Sequence, residues 1–210
     1  TKLVTYYSTA LADAEREEEA MAGNQESLRR GALMKMLQTA SYSLPLYVGK
    51  KGTEPPPLCG GIPAEPSYIA RRGEMVAALV RSPEGDENWI LAEVLEWNAS
   101  SGKYDVEDID VADEEQSKRH TLSKRRVIPL PKMRADPITC PEALFPKGTN
   151  VLAIYPQTTC FYKAVVDQVP SIATEDYEVS FEDSQYVSGF SPPLPVGQRY
   201  LICVKERKPK

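Results

Sequence analysis

The sequence predicts a mainly β protein: two small antiparallel barrels packed together, preceded by an α-helical N-terminal segment. Three observations carry that expectation. From Gly73 onward, short runs rich in Val, Trp and Tyr alternate with turn residues, which is the texture of short strands. These runs fall into two series whose internal spacings agree. Residues 1–40 lack that texture and are rich in Ala and Glu.

Bulk properties narrow the function. The 210 residues allow two or three small domains. Apolar residues make up 41%, enough for packed cores, and no stretch approaches the roughly 20 apolar residues of a spanning helix. Thr1–Ala10 shows no basic region followed by an apolar run, and the first residue is not Met, so residues are expected to precede it. A net charge of −5 gives no overall basic footprint for nucleic acid and suits a basic partner. Cys59, Cys140, Cys160 and Cys203 are scattered, without a CxxC pair, and His120 is the single histidine. That pattern argues against a structural zinc site or a disulfide framework and for reduced thiols. No cofactor is implied.

Residues 1–42 read as helical. Ala10–Ala22 contains no proline, and Asn24–Gly31 interrupts it. A second stretch begins at Ser27, with Leu28, Leu33, Met36 and Leu37 at helical spacing. The acidic run Glu15–Glu19 reads as a solvated face. Residues 43–70 form a proline-rich connector. Pro45, Pro55, Pro56, Pro57, Pro63 and Pro66 fall among four glycines, a density expected to leave no regular element. The connector is expected to run extended over the surface, pinned by Leu44, Leu46, Tyr47 and Leu58.

The two β series occupy 71–134 and 135–210. Gly73-Glu-Met-Val76-Ala-Ala-Leu-Val80 aligns with Gly148-Thr-Asn-Val151-Leu-Ala-Ile-Tyr155. Trp89-Ile90-Leu-Ala92-Glu-Val94 aligns with Phe161-Tyr162-Lys-Ala164-Val-Val166, and Tyr104-Asp-Val106-Glu-Asp108 with Tyr177-Glu-Val179-Ser-Phe181. Shared positions belong to structure, so function should lie where the copies differ. The second copy has Tyr155, Tyr162 and Phe181 where the first has Val80, Ile90 and Asp108. Three aromatics on three strands read either as a cage at the barrel rim or as core packing. A cage would suit a methylated ammonium: ring faces attract a cation, and the methylated nitrogen has lost most of the hydration that an unmodified lysine keeps.

These strings resemble the Tudor family, whose cage aromatics fall at Tyr155, Tyr162 and Phe181. A fourth cage position would fall near Ser184, leaving the box three-sided. Longer strings, among them Glu87-Asn-Trp-Ile-Leu-Ala-Glu-Val, Tyr155-Pro-Gln-Thr-Thr-Cys-Phe-Tyr and Tyr186-Val-Ser-Gly-Phe-Ser-Pro-Pro-Leu, are similar to the tandem-Tudor subunit family of the SAGA histone acetyltransferase complex. That resemblance covers residues 35–208 and implies two SH3-like Tudor barrels behind the end of a coiled-coil region. It implies a nuclear reader of the histone H3 tail, di- or trimethylated on its fourth-position lysine, that recruits a histone acetyltransferase complex. It also implies an acidic pair, Asp108 and Asp110, for the free N-terminal amine of the tail. Independently, Asp108 aligns with Phe181, so one rim is acidic where the other is aromatic. A solvated loop leading into Glu114–Glu115 is the plainer reading of that pair.

Gln157 and Thr159, between two cage residues, are candidate peptide contacts or simply turn residues. Glu182 and Asp183 add negative charge near the cage. The short, proline-bearing link Pro129–Lys147 suits barrels packed rigidly face to face. Catalysis has little support: there is no nucleophile elbow, phosphate loop or HExxH motif, and Cys160 has no histidine nearby in sequence. The basic residues from Lys118-Arg119-His120 to Lys124-Arg125-Arg126, with Lys205–Lys210, read as a solvated loop and tail, a nuclear-targeting signal or a DNA contact. Two alternative functions stay open: a structural interaction subunit, and a reader of another methylated lysine or arginine.

Overall fold

The computed structural model describes residues 27–50, 53–82, 84–110 and 119–203. Thr1–Thr39 and Ala40–Lys210 separate into two compact units. Among the described residues helix α1 covers residues 27–42, within the helical stretch that the apolar spacing predicts; residues 1–26, with Ala10–Ala22, lie outside the described residues. Leu37 is the buried member of its apolar set, whereas Leu28 and Met36 are exposed. Pro45 follows the helix and disfavours helical backbone at Leu44.

The second unit is β. Its strands are β1 Leu46–Tyr47, β2 Met75–Arg81, β3 Glu87–Asn98, β4 Lys103–Asp108, β5 Arg119–Ser123 and β6 Val127–Pro129, then β7 Arg134–Ala135, β8 Asn150–Ile154, β9 Cys160–Gln168, β10 Tyr177–Phe181, β11 Leu194–Val196 and β12 Leu201–Ile202. Two series have the same order. The first runs β6-β2-β3-β4-β5 and the second β12-β8-β9-β10-β11, all antiparallel. A 3-10 turn precedes the last strand of each, at Lys124–Arg126 and Gln198–Tyr200. Among the described residues the ladders form open series and do not close into complete barrels.

The register reproduces the sequence alignment. Val76 faces Ala92 as Val151 faces Ala164, Val94 faces Val106 as Val166 faces Val179, and Ala92 faces Asp108 as Ala164 faces Phe181. Alternate residues enter the core because side chains alternate across a strand. In the first series these are Val76, Ala78, Val80, Ile90, Ala92, Val94, Tyr104 and Val106. The buried Tyr104 hydroxyl accepts from the Ala70 amide at 2.9 Å, and the Tyr177 hydroxyl accepts from the Phe145 amide at 2.9 Å. Each amide lies three residues before a glycine with positive φ, Gly73 (+83°) and Gly148 (+84°). Those glycines donate to Val94 at 2.8 Å and Val166 at 2.7 Å, carrying each chain into its first strand.

The two series join edge to edge, not face to face. Strand β3 extends past the end of β4, and β9 extends past β10, so each long strand exposes an unpaired edge. These edges pair with each other: Trp89 opposite Phe161 and Ile90 opposite Cys160. One ten-stranded sheet results. The ladder continues in the bond from the Leu91 amide to the Thr159 carbonyl, 2.8 Å.

The connector also differs from expectation, because it contains a strand and enters the core. Strand β1 runs parallel to β7, in the inter-series link. Leu58 and Cys59 are buried, and the Gly60 and Gly61 amides donate to Met133 and Ala143 at 2.9 and 2.7 Å. Prolines exclude helix and remove donors, but they leave every carbonyl able to accept. Glycine then permits the close approach: a Cβ on Gly60 would sit 2.5 Å from the Ala143 carbonyl oxygen. The buried Gln198 amide completes the junction, pairing with the Ala135 backbone in both directions at 2.8 and 3.0 Å.

Candidate functional site

The rings stand on the β8–β9 hairpin and the end of β10. The hairpin turns through Tyr155-Pro156-Gln157-Thr158, closed by the Thr158 amide on the Tyr155 carbonyl at 3.1 Å. Pro156 in second place and a φ of +64° at Gln157 are type II turn features. Thr158 supplies the local side-chain bonds of the turn, donating to the Tyr155 carbonyl at 2.9 Å and accepting from the Cys160 amide at 3.2 Å. Gln157 is exposed at the tip.

The three aromatic side chains gather in one cluster. The Tyr155 ring lies 5.9 Å from Tyr162, at 80°, and 4.9 Å from Phe181, at 62°. Such edge-to-face contacts suit the ring quadrupoles. Tyr155 is 39% exposed and Tyr162 48%, whereas Phe181 is 2% exposed. The cluster is therefore neither sealed in the core nor all at the rim. Two tyrosines face solvent, and Phe181 lies buried behind Tyr155. Ser191 fixes that phenylalanine, its hydroxyl accepting from the Phe181 amide at 3.1 Å while its own amide donates to the Phe181 carbonyl at 2.9 Å.

Asp108 ends β4, and Asp110 follows two residues later. The Asp110 amide donates to Asp108 Oδ1 at 3.0 Å, and Thr159 Oγ1 donates to Asp110 Oδ2 at 3.2 Å. Burial raises the Asp108 carboxyl above the usual carboxylate range, and the negative charge of Asp110 adds to this. The Asp110 amide and nearby His120 oppose the shift.

Acids and rings are physical neighbours. The Cys160 thiol is pushed up by burial first, then by the charges of Asp108 and Asp110, and it shares a hydrogen bond with Tyr162. A raised thiol pKa keeps Cys160 protonated and unreactive. Burial, then the same thiol, raises the Tyr162 hydroxyl. Sequence reasoning placed Asp110 and Thr159 in separate roles. Their bond joins residues 49 apart in different series, a contact no local pattern displays.

The other candidates are more peripheral. Glu182 is exposed, and its amide donates to the Lys163 carbonyl at 2.9 Å; Asp183 Oδ1 caps the Gln185 amide at 2.8 Å. In the basic cluster, Arg126 pairs with Glu87, Arg119 lies 3.7 Å from Glu107, and Lys124 donates to the Pro66 carbonyl at 2.9 Å. Carboxylates thus neutralise two of these cations. Lys118 and Lys205–Lys210 lie outside the described residues.

Known proteins share this chain's β region. The family model for the SGF29 tudor-like domain matches residues 72–205, a span that holds every ring and both acids. SAGA-associated factor 29kDa of Drosophila melanogaster is 59% identical over 187 residues, covering 89% of this chain and 64% of that protein. SAGA-associated factor 29 homolog B of Arabidopsis thaliana is 32% identical over 57% of this chain and 44% of its own length. SAGA complex subunit SGF29 of Saccharomyces cerevisiae is 33% identical over 45% of this chain and 34% of its own length. The chain thus spans less than two thirds of each of these relatives.

Proposed function

The chain belongs to the SGF29 Tudor-like family, and on that premise we propose that it is a non-enzymatic chromatin reader. Its ligand is the histone H3 tail, di- or trimethylated on the fourth-position lysine. Tyr155, Tyr162 and Phe181 form the methyl-lysine cage. Asp108 and Asp110 hold the free N-terminal amine, and Gln157 and Thr159 line the path between the pockets. The protein acts in the nucleus as a subunit of a SAGA-type histone acetyltransferase complex, bringing it to methylated tails.

One observation carries this reading. Three rings touch in one series, two of them open to solvent, where the equivalent positions of the other series are Val80, Ile90 and Asp108. Core packing would place aromatics at the shared positions and bury them all. Two exposed tyrosine faces attract a cation, at roughly 0.5–2 kcal/mol each. Phe181 backs them with an apolar wall that gives an unmodified ammonium no acceptor.

The nearness of acids and rings supports the same ligand. Asp110 bonds Thr159 beside the ring-bearing hairpin, and Cys160 feels the charges of Asp108 and Asp110 while sharing a hydrogen bond with Tyr162. A ligand that fills both pockets must bring a methyl-lysine close to a free amine, which disfavours internal methyl-lysines.

Calorimetry on the full chain tests the reading with tail peptides methylated at the fourth lysine or at a more distant one. Tight binding of the first and weak binding of the second is expected. Equal affinity for both removes the two-pocket ligand.

A further inference from the structure

We infer that the apolar face around β1 docks an extended, uncharged segment of another subunit, which joins the free edge of β1 as an added strand. The inference rests on the complex membership proposed above and not on the cage.

Strand β1 has a partner, β7, on one side only. The Arg134 and Asp136 amides donate to the Pro45 and Tyr47 carbonyls at 2.9 and 3.1 Å. Bonding groups alternate between the two edges of a strand, so the N–H and C=O of Leu46 and Val48 point away from β7. Among the described residues, no backbone bond outside the β1–β7 ladder reaches them.

Apolar side chains surround that edge. Leu44, Leu46 and Val48 alternate and therefore share one face, and Val48 is 58% exposed. Ile138 stands at one end of the row, because Gly49 packs on the backbone of the adjoining Thr139: a Cβ on Gly49 would lie 3.3 Å from the Thr139 carbonyl oxygen. Ile172 stands at the other end. Arg134 Nη1 donates to the carbonyl of the adjoining Ala173 at 2.9 Å, and Arg134 Nε donates to the Leu44 carbonyl at 3.3 Å. Tyr42 lies beyond, its hydroxyl donating to Asp176 Oδ2 at 3.1 Å. Leu46, Val48, Ile138, Ile172 and Tyr42 are all exposed. Apolar residues exposed singly are ordinary; a row of them along an unpaired strand edge marks an interaction surface.

Two features define the occupant. The charges within the face are committed: Arg134 to two carbonyls, Asp176 to Tyr42, and Asp136 Oδ1 to the Ile138 and Thr139 amides at 2.8 and 3.4 Å. A charged segment would lose hydration there and gain no partner. The free N–H and C=O groups call for a strand, because a helix has already used its own. A foreign extended segment meets both demands, backbone against the edge and alternate side chains against the face. A second copy fits less well, since β1 is two residues long and edge-to-edge pairing of two such strands buries too little for a stable dimer.

The test is an array of overlapping peptides that tile the other subunits of the complex, followed by calorimetry of the bound peptides on the full chain, wild type and Val48→Glu. Bound peptides should carry apolar residues at alternate positions. Val48→Glu should weaken them by at least about tenfold, because it buries a carboxylate without a partner. Its melting temperature and its affinity for the methylated tail should match wild type. Methylating alternate backbone nitrogens of a bound peptide should abolish binding in one register and spare it in the other, as strand addition requires. The inference is overturned if no peptide binds wild type, if Val48→Glu binds them equally, or if both N-methyl registers are tolerated. It also fails if sedimentation shows that wild type self-associates and Val48→Glu does not, which makes a second copy the occupant. Peptides that behave as expected on a chain that ignores methylated tails keep this surface and remove the reader function.

Discussion

On the proposed function, acetylating the amino terminus of the tail peptide removes the positive charge that Asp108 and Asp110 would receive. The acetyl group also leaves two half-buried carboxylates facing a neutral amide. A charge-assisted hydrogen bond contributes about 1.5–3 kcal/mol. Two such bonds are partly offset by stripping water from the ammonium, so a net loss near one bond's worth is expected. That is roughly a 10- to 150-fold weaker complex. The pH dependence follows from Asp108, whose carboxyl burial has raised. The unliganded protein therefore holds the Asp108 proton to higher pH than a free carboxyl would. An arriving ammonium favours the ionised form. Affinity for the free-amine peptide should rise with pH through the raised Asp108 range and reach a plateau. It should fall again as the peptide amine loses its proton near a pH of about 8. Affinity for the acetylated peptide should stay flat across the acid limb. Calorimetry with both peptides at several pH values reads these effects. Equal affinity for the two, or identical acid limbs, would refute the assignment of the pair.

Three further predictions concern the scaffold and the hairpin. Tyr177→Phe strips the acceptor from the Phe145 amide in a buried site, so stability should fall by about 1–3 kcal/mol; an unchanged melting temperature contradicts the shared tyrosine bond. Gly60→Ala places a Cβ 2.5 Å from the Ala143 carbonyl at a φ of +51°. Its melting temperature should drop by several degrees, whereas a loose surface connector predicts no change. Gln157→Gly suits the φ of +64° at least as well as glutamine does. Its melting temperature should hold while peptide affinity falls a few-fold, and undiminished affinity removes Gln157 from the peptide path.

Spacing made the repeat legible, because strand alternation forces the same residue types to recur at matched positions in both copies. Tyr104 and Tyr177 kept a common interval to Val106 and Val179, and that interval fixed the register that places Asp108 opposite Ala92 and Phe181 opposite Ala164. The burial of Phe181 was not legible, since it depends on Ser191 holding β10 from a distance. The junction was hidden for a similar reason: which edge of β3 stays unpaired depends on where β4 ends. In the connector, proline content spoke against regular structure, but β1 needed only carbonyl acceptors and a partner at Arg134–Ala135. Thr159 read as a peptide contact or a turn residue, and its bond to Asp110 stayed hidden because that acceptor belongs to the other series.

The cage is tested most directly by calorimetry with trimethylated and unmodified tail peptides on wild type and on a Tyr155→Ala, Tyr162→Ala variant. Both rings are substantially exposed, so the variant should keep its fold and melt cooperatively. Wild type should bind the trimethylated peptide at least about tenfold more tightly, the sum of two modest ring contacts. In the variant the two peptides should bind alike. A folded variant that still prefers the trimethylated peptide would contradict the cage.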